Sequence, residues 1–130
     1  MQANPTAATP LVATCHCGGT RIEVAVPPPE LTACNCSFCS KRGGLWTYYP
    51  RDQVVVHATL HRASYSSDRM QHVHYHCARC GCSTHSDLLC SWTEDGPDFS
   101  QPRVCVNARL FDGLDLSALP VVELDGRNEW

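Results

Sequence analysis

Along the chain, apolar residues recur at every second position far more clearly than at helical spacing. In TRIEVAV (20 to 26), Ile22, Val24 and Val26 fall on one face and Arg21, Glu23 and Ala25 on the other, the pattern of a half-buried strand. Further strands are predicted at LWTYY (45 to 49), QVVVH (53 to 57), LHRASY (60 to 65), MQHVHYH (70 to 76) and RVCVNA (103 to 108), each bounded by turn-forming residues. VPPPE (26 to 30) cannot continue a ladder, because proline has no N–H to give it, and EDGPD (94 to 98) reads as a turn or loop. Helix is scarce: a turn or two through SFCSKR after Cys36, and a short piece at DLSAL (115 to 119) that stops before Pro120. The fold class expected is mainly β, a small β-sandwich-like single domain, since 130 residues suffice for one core and not for two ordinary ones.

The first ten residues, MQANPTAATP, are small, polar and twice interrupted by proline, so residues 1–10 are expected to form a flexible tail and 11–130 the domain. No later segment approaches the roughly 18 apolar residues of a membrane span, and the expected location is the cytoplasm. Lys and Arg number 10 against 13 Asp and Glu, a net charge of -3, and the basic residues are scattered. Nothing resembles a phosphate-binding stripe or a polybasic anchor, which excludes the usual signatures of a nucleic-acid or membrane partner. A small ligand or a protein partner remains.

Ten cysteines change the picture most. Eight fall in three clusters: CHCGG (Cys15, Cys17), CNCSFC (Cys34, Cys36, Cys39) and CARCGC (Cys77, Cys80, Cys82). Two cysteines in CxC place their side chains badly for bridging each other, and a reducing compartment leaves thiols free for a thiophilic ion, so metal is favoured over disulfides. A structural zinc ion takes four ligands in a tetrahedron, commonly from two short pairs distant in sequence. Cys15 and Cys17 with Cys77 and Cys80 fit that scheme, with Gly18 and Gly81 permitting the tight turns. Such a site would staple strands 60 residues apart and contribute folding free energy to a domain with a limited core.

Cys34, Cys36 and Cys39 then have no obvious fourth partner. Three protein ligands and an open position are the pattern of a catalytic zinc, and four the pattern of a structural one. The alternatives are that Cys82 or a histidine closes the site as a second structural centre, that no second ion is bound, or that the triad holds an iron–sulfur cluster, which would need four ligands at other spacings. His72, His74 and His76 alternate within one strand and read as a solvated face or as support for the cysteines. Cys90 and Cys105 stand alone and read as buried apolar residues. Trp46, Tyr48 and Tyr49 follow the CxCxxC closely and are expected mainly in the core. Lys41 and Arg42 sit beside it, placed either to bind a carboxylate or to remain solvated.

The segments CHCGGTRIEV, ACNCSFCSKRGGLWTYYPRD, HYHCARCGCSTH and VNARLFDGLDLSALPVVELDGRNEW together resemble the glutathione-dependent formaldehyde-activating enzymes, a group that includes centromere protein V. The likeness covers most of the chain, in the family's order and approximate spacing. It implies a zinc-containing β-tent with two zinc ions per chain. By resemblance, Cys15, Cys17, Cys77 and Cys80 hold the structural ion and Cys34, Cys36 and Cys39 the catalytic one. The implied activity is reversible adduct formation between a thiol, glutathione or similar, and an aldehyde, formaldehyde or similar, a carbon–sulfur lyase in the reverse sense. This chain differs in carrying His76, Cys82 and His85 where the family often has an aromatic, an aliphatic and an aromatic residue. The alternative expectation, from the centromere relative, is a non-enzymatic zinc module for protein interaction.

Overall fold

The alternating stretches fold as strands, in a computed structural model that describes residues 10–66 and 72–129. The strands are β1 (Leu11–Thr14), β2 (Thr20–Val24), β3 (Leu31–Cys34), β4 (Trp46–Pro50), β5 (Val54–Thr59), β6 (Arg62–Tyr65), β7 (Val73–Cys77), β8 (Ser83–Leu88), β9 (Ser91–Thr93), β10 (Gly96–Asp98), β11 (Arg103–Asn107) and β12 (Val121–Leu124). Two four-residue helices, α1 (Cys39–Arg42) and α2 (Gly126–Glu129), complete the regular structure together with short 3-10 turns. Mainly β and a single small domain are both correct. No helix among the described residues is long and apolar enough to cross a membrane.

The strands form a three-stranded sheet ordered β1-β2-β5, a seven-stranded sheet ordered β12-β3-β4-β11-β8-β7-β6, and the separate pair β9 and β10. All pairings are antiparallel except β12 on β3. The core lies between the two larger sheets: Leu11, Ala13, Ile22 and Val24 from one meet Leu31, Tyr49, Val104 and Val106 from the other, with Ala108 and Phe111. Ile22 and Val24 are fully buried, as the alternation requires, and each contributes about 1.5–3 kcal/mol by leaving water. Tyr49 keeps its phenol satisfied inside this core by donating to the Val26 carbonyl at 3.0 Å.

The elements absent from the hydrophobic pattern have identifiable causes. Strand β8 reads STHSDL, yet Thr84, His85 and Ser86 are buried. Their polar groups are met inside the sheet, Thr84 Oγ1 donating to the Tyr75 carbonyl at 3.2 Å and Ser86 Oγ pairing with His74 Nδ1 at 2.8 Å. A buried strand whose polarity is internally satisfied carries no alternation signal. EDGPD, read as turn or loop, turns at its start and then pairs Gly96–Asp98 with Ser91–Thr93, the proline being tolerated in a two-stranded ribbon. DLSAL forms a 3-10 turn at Leu116–Ala118, capped by Asp115 Oδ1 accepting from the Ser117 N–H at 3.1 Å. Residues 1–9 of the expected tail, and Met70 and Gln71 of the fifth predicted strand, lie outside the described residues.

His85 is buried, stacks on Tyr75 at 4.6 Å between ring centroids and shares a 2.9 Å hydrogen bond with Thr84. Burial holds its pKa down to about 4. The unfolded chain therefore takes up a proton that the folded chain refuses, so stability is lost as pH falls from about 6.5 towards 4. Urea melts at fixed metal concentration are expected to show His85→Gln losing less stability across that window than wild type, by on the order of 3 kcal/mol. Parallel curves for the two proteins would contradict this assignment.

Candidate metal centres

The first cysteine set is built from two turns at strand ends. Cys15 follows β1, and its turn is closed by the Gly18 N–H donating to the Cys15 carbonyl at 3.0 Å. Cys77 ends β7, and the Gly81 N–H donates to its carbonyl at 2.8 Å. Gly18 (φ 81) and Gly81 (φ 82) take the left-handed conformation that each turn needs. The sulfurs of Cys15, Cys17, Cys77 and Cys80 all lie within 4.8 Å of one another. The Cys15–Cys17 separation is 3.7 Å and the Cys17–Cys77 separation 3.5 Å. A tetrahedron with metal–sulfur bonds of 2.3 Å has edges of about 3.8 Å, whereas a disulfide would need about 2.05 Å. All ten cysteines are free thiols, and this quartet fits a four-coordinate thiophilic ion.

Backbone donors favour thiolates here. The Thr20 N–H donates to Cys15 Sγ at 3.3 Å, and the N–H groups of Cys82 and Cys17 bring the Cys80 thiol down to about 5. Cys82, the residue that could have closed the other cluster, lies on this side. It accepts from the His16 N–H, which lowers its pKa, but burial and then the neighbouring Cys80 and Cys15 outweigh that donor and leave the thiol raised.

The second set closes on a loop between β3 and α1. Cys34 ends β3, Cys36 follows, and Cys39 opens α1, so strand end and helix start bring three sulfurs within 4.8 Å of one another. The Cys36 N–H donates to Cys34 Sγ at 3.5 Å and the Cys39 N–H to Cys36 Sγ at 3.3 Å. Burial, then the neighbouring Cys36 thiol, pushes Cys39 up to about 12. Such a thiol is released from its proton by a cation rather than by solvent. Among the described residues no fourth Cys, His, Asp or Glu joins these three, and no histidine joins either set.

The loop is fixed from an unexpected direction. Asn35, between Cys34 and Cys36, donates through Nδ2 to Asp125 Oδ1 at 2.8 Å and accepts at Oδ1 from the Arg127 N–H at 2.9 Å. Its own N–H donates to the Leu124 carbonyl at 3.1 Å. The C-terminal segment thus splints the triad, in continuation of the parallel pairing of Leu124 with Cys34. Nothing in the spacing of CNCSFC signals this, because the partner lies 90 residues away. Asn35→Ala is expected to weaken divalent metal binding at the triad roughly 10- to 100-fold, read by chelator competition, with the quartet unchanged. Equal weakening at both sets would contradict it.

The triad loop lies on one face of the large sheet. Tyr48, Cys105, Ser86, His74 and Tyr65 stand opposite one another on successive strands and form a row across that face. Phe38, between Cys36 and Cys39, packs on this row, 4.6 Å from the His74 ring and 5.5 Å from that of Tyr65. Arg42 on α1 is stacked between Phe38 at 4.3 Å and Trp46 at 4.0 Å. Beside them is an open cavity of about 210 Å³ that lies between the triad loop and the turn after Cys80, with Phe38, Arg42, Tyr65, His74, Tyr75 and His76 on its walls together with Gly81 and Ser83. The aromatic run after the CxCxxC is split by strand alternation. Tyr49 enters the core, while Trp46 and Tyr48 turn to the triad face, where burial pushes the Tyr48 phenol up. Cys90 and Cys105 are buried, as their isolation in the sequence implied. His72 Nδ1 accepts from the Leu89 N–H at 3.0 Å, a structural use.

A family model described as glutathione-dependent formaldehyde-activating enzyme matches residues 10–112, which contain both cysteine sets. The crystal structure of a Rhodobacter sphaeroides protein is similar to this chain with a TM-score of 0.66 and 24% identity, over 85% of this chain and 99% of that one. At that identity the likeness speaks for the fold alone. No curated protein is significantly similar to the chain.

Proposed function

Because this chain belongs to the glutathione-dependent formaldehyde-activating enzyme family, we propose that it is a zinc-dependent carbon–sulfur lyase, joining a thiol to an aldehyde and releasing them again. The observation that carries this reading is the contrast between the two cysteine sets. One offers four sulfurs at the spacing of a closed tetrahedron; the other offers three, with no fourth Cys, His, Asp or Glu joining them among the described residues. Cys15, Cys17, Cys77 and Cys80 are assigned a structural zinc, and Cys34, Cys36 and Cys39 a catalytic one.

In the forward direction the substrate sulfur bonds to the aldehyde carbon, the carbonyl π pair moves to oxygen, and the proton given up by sulfur ends there. The reverse step breaks the carbon–sulfur bond and returns both reactants. Cys34, Cys36 and Cys39 would hold the zinc, which would supply a Lewis-acidic position able to favour a substrate thiol as its thiolate or to polarise a carbonyl oxygen. The chain's own contribution is positional. Asn35 holds the loop between two ligands, and Phe38, seated on His74 and Tyr65, walls the site on its cavity side. Holding thiol and carbonyl together at the triad would lower the entropic part of the barrier.

The test is exchange-rate NMR on formaldehyde mixed with glutathione and with smaller thiols, at catalytic concentrations of zinc-loaded protein. Adduct formation faster than the uncatalysed exchange is expected for at least one thiol. No acceleration with any of them would overturn the enzymatic reading in favour of a zinc-bearing interaction module.

A further inference from the structure

Arg42 is placed as no ordinary surface arginine would be. Its guanidinium carbon lies over both the Phe38 and the Trp46 rings, and its Nε and Nη1 are buried without a hydrogen-bond partner. Among the described residues the single ion pair is His57 with Glu23, so no carboxylate meets this cation. Leaving charged donors unmet is costly, and a long flexible side chain would ordinarily swing to water to avoid it. Stacking instead holds it against the cavity wall with Nε and Nη1 covered and unpaired, and a planar carboxylate is the group whose geometry would meet them. The cavity that Arg42 lines has His74 and His76 among its walls and no Asp or Glu.

We propose that Arg42 is the specificity-determining residue of this site and reads a carboxylate on the thiol substrate, so that acidic thiols are its reactants. The inference rests on the thiol–aldehyde reading. Three thiolates around a divalent ion leave a net negative charge that repels an anionic substrate, and Arg42, one turn beyond Cys39, offsets that repulsion. The cavity, at about 210 Å³, is smaller than the roughly 300 Å³ at which pockets for drug-sized ligands begin. It suits a short mercapto acid, or one carboxylate end of a longer thiol extending from its mouth.

The experiment compares 3-mercaptopropionate with the isosteric neutral thiol 3-mercaptopropan-1-ol. Two readouts are used on the full chain: kcat/KM for adduct formation with formaldehyde, and equilibrium binding to the cobalt(II)-substituted protein by its sulfur-to-metal absorption. Wild type is expected to favour the acid by roughly tenfold or more in both. Arg42→Met should bring the ratio towards one, and Arg42→Lys should restore part of it. A residue that merely balanced the charge of the triad would change metal affinity and both thiols alike. Glutathione separates the two ligand sources: Arg42-dependent preference for it assigns the tripeptide's carboxylate to the cavity, and dependence confined to mercaptopropionate assigns a short acid; either supports the proposal. If neither thiol is turned over, the enzymatic reading fails while the binding ratio still decides the role of Arg42. Should Arg42→Met not fold, propionate against propan-1-ol is titrated into wild type, following the Trp46 indole N–H by NMR; a selective, saturable shift with propionate is expected. A wild-type ratio near one, a ratio unchanged by Arg42→Met, or no propionate-selective shift would overturn the proposal.

Discussion

Cys77→Ser is expected to leave no cooperatively folded domain. Cys77 is fully buried at the end of β7, and its sulfur lies 3.5 Å from that of Cys17, so the variant loses one corner of the quartet and leaves an unpaired hydroxyl inside. Structural zinc contributes about 10–16 kcal/mol of binding free energy to folding. That exceeds or matches the 5–15 kcal/mol by which a domain of this kind is stable. Circular dichroism and urea titration should show a broad, non-cooperative transition, and a strong chelator should do the same to wild type. A Cys77→Ser protein that melts cooperatively within a few degrees of wild type would show that the quartet is not the staple of the fold.

Cys36→Ser has a different consequence. It is expected to hold one zinc ion per chain where wild type holds two, and to return thiol–formaldehyde exchange to the uncatalysed rate. The fold should survive, because the triad sits on a half-buried loop and contributes no side chain to the core cluster. The surviving quartet and the sheet packing keep the melt cooperative. Metal content by atomic spectroscopy, thermal unfolding and NMR exchange rates read the three effects separately. A Cys36→Ser protein with wild-type exchange rates would remove the triad from the catalytic assignment.

Why some of this was legible in the sequence, and some was not, follows from the range over which each feature acts. The two cysteine sets could be written down from CHC, CARC and CNCSFC because a CxC or CxxC turn is a local device that directs its own thiols to one point. The period-two pattern of TRIEVAV likewise located β2 and its core residues Ile22 and Val24. The strand β8 was illegible because its buried residues are polar and satisfied by neighbours on other strands. The location of Cys82 was ambiguous because it lies two residues from Cys80, and only the folded turn decides which side it joins. The splint on Asn35 is a contact between segments 90 residues apart, set by sheet order and invisible to spacing, whereas the stack around Arg42 is local, with Phe38 and Trp46 four residues to either side. The place of Lys41 and Arg42 beside CNCSFC is legible in the sequence, but it fits carboxylate binding and a solvated surface equally.

The central claim is the division of labour between a closed four-sulfur centre and an open three-sulfur one. It is tested most directly by zinc-edge X-ray absorption on the protein holding two zinc ions per chain, with Cys36→Ser as the one-ion reference. The account predicts an average of about 3.5 sulfurs per zinc, with a lighter oxygen or nitrogen neighbour, rising to about 4 in Cys36→Ser. Four sulfurs per zinc in the doubly loaded wild type would mean that the triad acquires a fourth thiolate, and would contradict its assignment as an open reactive site.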